Sequence, residues 1–258
     1  MFDDQVKAGD LRLFAAIPAQ LSDEDKRSLL AIQAVLRERQ EYAYLEIGSY
    51  LGGSLQPHVV DPRCHTIYSI DPRPTSAPDE RGTPFTYSNN STARMLALLE
   101  QFHGPTTKVR CFDADAREVD RSKIDVAPTL CFIDGEHTNS ACFSDFQFCM
   151  AVAARPSVIV FHDAVLVYQA LRQCLQYVEQ HGLRHHAYIL PDVVGVIELG
   201  EMGLFREAAI EERLAKTMLS YAHALEKWQG ILREQLSFRK QLGRIMRRIA
   251  WRTGLPEN

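Results

Sequence analysis

Tyr44-Leu45-Glu46-Ile47-Gly48-Ser49-Tyr50-Leu51-Gly52-Gly53-Ser54 is the stretch on which the reading of this chain turns. Residues 44–47 have the apolar character of a short strand that carries one acid near its end, and a glycine loop follows it. Such a loop lets backbone N–H groups come close to a nucleotide-like ligand. Outward from it, four more apolar runs of four or five residues (66–70, 109–112, 130–133 and 158–161) each stop at a polar residue or glycine. Runs of this kind suit parallel strands covered by helices on both faces.

Helical stretches lie between them. Ser22-Asp23-Glu24-Asp25 is a helix start with a capping hydroxyl and acids in the first turn, and it opens a helix to about Gln40. Residues 91–103, 140–154 and 165–181 read as further helices, the first and last ending at Gly104 and Gly182. Alternation of strand and helix predicts an α/β, doubly wound, mostly parallel sheet whose ligand crevice lies at the carboxyl ends of the strands. Residues 186–190 and 194–199 are separated by only three residues, too few for a helical crossover, so they are expected as an antiparallel hairpin at one edge. The proline-rich segment 72–90 has no apolar period and reads as a mobile loop, a lid over the site. The expected organisation is a helical segment over 1–42, a ligand-binding domain over 43–203 and a C-terminal helix over 204–258.

Composition agrees with one globular domain and an appendage: 258 residues, 46% hydrophobic and 24% charged. Neither an 18-residue apolar span nor signal-peptide grammar is present, so the expected location is cytoplasmic. Cys64, Cys111, Cys131, Cys142, Cys149 and Cys174 form no C-x-x-C pair and are expected as buried thiols. Charge is uneven. Residues 233–258 hold seven basic side chains against two acidic ones, a balance of +5 that leaves −9 elsewhere in a chain of net charge −4. Leu214, Met218, Tyr221, Leu225, Trp228 and Leu232 form a heptad seam, resumed at Leu242, Met246 and Ile249 after an interruption at Gln235 and Arg239. This predicts a homo-oligomer through the helix, or a helix packed back on its own domain. The amphipathic basic end suits peripheral contact with the inner face of a membrane, or a partner helix. Without an RNA-reading motif, nucleic acid is not expected.

Twenty-three residues beyond Gly48, the next strand ends in Asp71, placed to bind ribose hydroxyls. A dinucleotide loop would have glycine where Tyr50 stands, so a ligand with ribose and adenine but no pyrophosphate fits better. Two further clusters end strands: Phe132-Ile133-Asp134-Gly135-Glu136-His137 and Val160-Phe161-His162-Asp163. If these strands are adjacent, Asp134 and Asp163 converge, and two close carboxylates must share a proton or a cation.

Glu46, Gly48, Gly52 and Asp71 together resemble the cofactor motifs of class I S-adenosylmethionine-dependent methyltransferases. That resemblance covers about residues 44–200 and implies the family's seven-stranded sheet. It implies that Glu46, Gly48, Ser49, Gly52 and Ser54 hold the amino-acid end of the cofactor, that Asp71 takes the ribose, and that Asp115, in preference to Asp113, lies at the adenine. The second and third clusters resemble the metal-dependent sugar O-methyltransferases of macrolide pathways, of mycinamicin and macrocin type. Carried over, Asp134, His162 and Asp163 would bind the metal, Asp134 also facing the cofactor, and His137 would be the general base, with Glu136 as rival. His162 stands where that group has an acid, which sets Mn²⁺ or Fe²⁺ beside Mg²⁺ as candidate ions. Arg155-Pro156-Ser157 stands where that group has a glycine pair. A bound cation would lower the pKa of an acceptor hydroxyl while a near-neutral imidazole takes its proton. The expected activity is methylation of a hydroxyl on a sugar or other polar small molecule. Two rivals are a nicotinamide-dependent oxidoreductase, against which Tyr50 counts, and a non-catalytic scaffold on the same fold.

Overall fold

The computed structural model describes residues 2–82 and 84–253, with side chains left aside at 235, 239 and 243–253. Helix α1 (Phe2–Lys7) and a 3₁₀ turn precede α2 (Asp23–Arg39), whose start is a complete capping box between Ser22 and Asp25. Then follow β1 (Tyr42–Ile47), α3 (Gln56–Val60), β2 (Cys64–Ile70), the two-residue strands β3 (Ser76–Ala77) and β4 (Phe85–Thr86), and α4 (Thr92–His103). The second half runs β5 (Val109–Phe112), β6 (Leu130–Ile133), α5 (Asn139–Val152), β7 (Ser157–Phe161), α6 (Tyr168–Gln180), β8 (His185–Leu190), β9 (Val194–Leu199) and α7 (Ala208–Thr253).

The main sheet has seven strands in the order β5-β2-β1-β6-β7-β9-β8, parallel except where β9 pairs with its neighbours. Alternation along the central strands explains their unbroken apolar sequence. Tyr42 and Tyr44 of β1, Leu130 and Phe132 of β6, and Val158 and Val160 of β7 face one core; Leu45, Ile47, Cys131, Ile133, Ile159 and Phe161 face the other. Each of these side chains, taken out of water, contributes roughly 1.5–3 kcal/mol. Strand order reverses between β1 and β6, so the crevice of a doubly wound sheet opens at their carboxyl ends.

The expected hairpin at the sheet edge is β8–β9. Segment 72–90, read from the sequence as a mobile loop, carries the β3–β4 pair and is hydrogen-bonded to the main domain, Glu80 N–H donating to His137 O at 3.0 Å. The six cysteines are free, and Cys111 is half-buried rather than buried. Helix α7 is anchored at its start, where Ile210 is buried and Arg213 donates to Ser28 Oγ (2.9 Å) and to Glu24 Oε2 (2.7 Å). Of the heptad seam, Leu214 packs on the core but Met218 is 84% exposed. The helix backbone runs unbroken through 235 and 239, while the basic side chains at 244, 247, 248 and 252 lie outside the described residues. Among the described residues, no helix is long and apolar enough to cross a membrane.

Candidate functional site

The glycine loop is locked against the end of β6. Gly48 has φ +93°, and a Cβ there would lie 2.0 Å from the backbone oxygen of Asp134. No other residue fits both the conformation and the space. Gly52, at φ +81°, is favoured by its conformation as well, and its Cβ would press on Met95 and Leu99 of α4. Glu46 is fully buried behind the loop, not in the cleft wall, and accepts from the Ser54 and Tyr44 hydroxyls. Burial pushes its carboxyl up to about 8 despite those two bonds. Glu46 and Gly52, expected from the sequence to hold the cofactor, lie outside the lining of the cleft in front of the loop.

In front of the loop lies an open cleft walled by Gly48, Ser49, Ser54, Asp71, Asp115 and Asp134, with Tyr87 from segment 72–90 and residues 18–21 from the N-terminal region. Asp71 accepts from the Tyr50 (2.8 Å) and Arg73 (2.7 Å) backbone N–H groups, which fix the orientation of its carboxylate. Arg73 was hidden in the proline-rich segment. Its buried guanidinium donates to Tyr50 O (2.5 Å) and reaches Ser49 and Ser69, pinning the glycine loop to β2. Asp115 lines the cleft, whereas Asp113 turns to Thr92. The Asp115 carboxylate, however, is bound three times by Arg117, through its backbone N–H and two guanidinium nitrogens.

Beside the cleft, the ends of β6 and β7 bring Asp134, His137, His162 and Asp163 together. His162 Nδ1 donates to Asp134 Oδ1 at 3.0 Å and lies 3.7 Å from Asp163 Oδ2. His137 Nε2 is 3.5 Å from Asp134 Oδ1 and 3.4 Å from Asp163 Oδ2. Two further acids complete the group, and neither was expected there. Asp79, from the lid segment, places Oδ2 3.4 Å from His137 Nδ1, while Asp25, from the capping box of α2, receives His162 Nε2–H at 3.3 Å. Burial would lower both imidazole pKa values. The surrounding carboxylates overcome it, holding His137 at about 10 and His162 well above its ordinary value. In return, and against the same cost of burial, the imidazoles hold Asp134 at about 2 and Asp25 below the usual range; Asp79, which also binds Arg81, is likewise depressed.

The sequence-predicted metal ligands Asp134, His162 and Asp163 do converge. Their arrangement is that of a proton-sharing cluster: both nitrogens of His162 face carboxylate oxygens, and among the described residues no group of three or more His, Cys, Asp or Glu side chains is placed to hold a metal ion. Glu136, the rival base, is exposed and accepts from the Thr138 hydroxyl at 2.7 Å, away from the imidazoles.

Residues 45–164 match the family model described as a methyltransferase domain. No curated protein matches the chain by sequence. Among solved structures, the chain is similar to the O-methyltransferase TomG of Streptomyces achromogenes in complex with SAM, from tomaymycin synthesis (14% identity, 77% of this chain and 89% of that one, TM-score 0.51). It is also similar to a calicheamicin methyltransferase (15%, 76% and 91%, TM-score 0.50) and to a Bacillus cereus O-methyltransferase in complex with SAH (11%, 78% and 90%, TM-score 0.50). At these identities the structural likeness carries the fold.

Proposed function

We propose that this chain, a class I methyltransferase in its fold and in the domain matched over residues 45–164, transfers the methyl group of S-adenosylmethionine to a hydroxyl oxygen of a sugar or other polar small molecule. The cleft supports the cofactor: a loop where a Cβ at Gly48 would fill the space, an acid at Asp71 for ribose hydroxyls, and acidic walls suited to a cation. When bound, the cofactor supplies an electrophilic methyl on a positively charged sulfur.

The observation that carries the acceptor reading is the imidazole of His137 beside that cleft, its side chain 13% exposed and steered by three carboxylates. A hydroxyl loses its proton as the new C–O bond forms, and that proton needs a positioned acceptor. Neutral His137 accepts it at Nε2, and Asp134 and Asp163 stabilise the resulting imidazolium. His162, gripped by Asp25 and Asp134, keeps the Asp134 carboxylate turned toward His137. In the free protein His137 holds its proton up to about pH 10, so the reaction should quicken with rising pH as the neutral form becomes available. Tyr50 of the glycine loop touches Tyr87 of segment 72–90, which in turn touches Phe85, a run of rings on which the carbon face of a sugar can stack. Helix α7, whose Met218 and Leu219 are each 84% exposed, is the surface through which we expect a second copy to bind.

A divalent cation at Asp134, His162 and Asp163, expected from the sequence, would displace the imidazole contacts these groups now make. One experiment addresses both levels. S-adenosylhomocysteine is titrated calorimetrically, and labelled methyl transfer to polyhydroxylated acceptors is then followed with chelator and with added Mg²⁺ or Mn²⁺. Micromolar binding and chelator-resistant transfer are expected. Absence of binding by folded protein would overturn the cofactor assignment, and transfer that is lost with chelator and restored by the ion would return the cluster to a metal role.

A further inference from the structure

Asp145 lies in the middle of α5 and is only 7% exposed. It borders the cleft together with Ala141, one turn earlier on the same helix, and with Asp115, Ala116 and Gly135 on the facing loops. A Cβ on Gly135 would come within 3.2 Å of Asp145 Oδ2, so the carboxyl stands directly behind that glycine. Glu46, Asp25, Asp61, Asp71, Asp79 and Glu198 are also buried, and each accepts hydrogen bonds from named donors. Asp145 alone among the buried acids of the described residues has neither a hydrogen bond nor an ion pair. Arg117, the cation that acts on it, is bound through its guanidinium to Asp115. An aspartate in mid-helix does not favour the helix, and a buried carboxyl without a partner is costly, so its partner is to be sought in the cleft.

The next step rests on reading the cleft as the cofactor site. With ribose at Asp71, the base continues into the slot that the small residues Ala116, Gly135 and Ala141 leave open, and Asp145 is the polar group at its floor. We propose that Asp145 reads the amino edge of the cofactor's adenine, accepting a hydrogen bond from the exocyclic amine. Burial pushes the carboxyl up to about 7, Asp115 and Glu136 act in the same direction, and Arg117 opposes them. In its neutral form the same group also donates to the ring nitrogen N1, a two-point contact. The adenine role expected of Asp115 changes accordingly: with its carboxylate held by Arg117, it shapes the slot while Asp145 recognises the base.

The test compares S-adenosylhomocysteine with its 6-deamino analogue, in which hydrogen replaces the amine, on the full chain. Wild type is expected to bind the analogue about tenfold more weakly, the scale of one such hydrogen bond. Asp145→Ala, and the isosteric Asp145→Leu should the smaller side chain prevent folding, are expected to bind both ligands alike. Asp145→Asn, which can still accept from the amine and donate to N1, should keep the discrimination. A merely structural role for Asp145 would not move this ratio. Equal binding of the two ligands by wild type, or discrimination that persists in Asp145→Ala or Asp145→Leu, overturns the inference. Wild type that binds neither ligand overturns the cofactor reading instead.

Discussion

Replacing His137 with glutamine removes a charge that three carboxylates hold in place while leaving an N–H donor of similar reach. The imidazole is raised from 6.5 to about 10, and its side chain is only 13% exposed, so solvent screens little of the interaction. At 1.36 kcal/mol per unit this corresponds to about 5 kcal/mol of preference for the protonated, folded state. The folded protein binds the proton more tightly than the unfolded chain. The contribution is therefore fully present below about pH 6.5 and is lost as pH rises through about 10. Between pH 7 and pH 9 the wild type should lose about 2.5 kcal/mol relative to His137→Gln. Urea unfolding of both proteins at pH 7, 8 and 9 reads this difference directly, because the groups common to both largely cancel. A gap between wild type and variant that stays constant over that range would show that His137 is not held as a cation, and the proton-sharing description of the cluster would fall with it.

Two further outcomes follow from the geometry. Gly48→Ala should cost ~3 kcal/mol or more, because the conformation at φ +93° and the 2.0 Å approach to Asp134 both resist a side chain; thermal unfolding and S-adenosylhomocysteine titration are the checks, and unchanged affinity would remove the loop from the cofactor site. Asp25→Asn keeps one acceptor oxygen, enough for the Val193 or the Ser22 backbone N–H but not for both, and takes the charge from His162. It should cost about 2 kcal/mol and lower kcat while leaving the cofactor KM unchanged; unaltered kcat would confine Asp25 to capping its helix.

What the sequence made legible follows a physical division. The apolar run at 130–133 is a strand at those bounds because a strand buried on both faces carries its signal locally; the run at 109–112, a partly exposed edge strand, also keeps its expected bounds, and the glycine loop was legible through its spacing. Asp134, His137, His162 and Asp163 were recognisable as residues at or just beyond the ends of adjacent strands. Asp25 was visible only as a first-turn acid, since its second partner lies 137 residues away and nothing in Ser-x-x-Asp announces it. Arg73, Asp79 and Arg81 were hidden for a related reason: a proline-rich segment with no period gives no hint of which distant groups it will meet. Asp145 was overlooked inside a run read for its apolar spacing. Convergence of the cluster could be read from strand order. The turning of both imidazoles onto carboxylates could not, because it depends on Asp25 and Asp79, outside the two motifs.

The backbone explains why the strand-end residues act as a unit. Parallel pairing continues one residue past the ends of four strands: Asp71 N–H donates to Phe112 O (3.0 Å), Gly48 N–H to Ile70 O (2.8 Å), Asp134 N–H to Ile47 O (2.9 Å) and His162 N–H to Ile133 O (3.0 Å). The acid proposed for the ribose, the glycine of the loop, the carboxylate shared by both imidazoles and one of those imidazoles thus occupy a single row, about one strand spacing apart. Asp134 is the joint of that row. Its backbone oxygen closes against Gly48, and its side chain binds the histidines, so the loop and the proposed base His137 are mechanically joined. Asp25 and Asp79 then grip the row from α2 and from the lid, the two places where the chain leaves the sheet. A site built this way draws its precision from strand pairing and its charge balance from the segments around it, which is why the first was written in local pattern and the second was not.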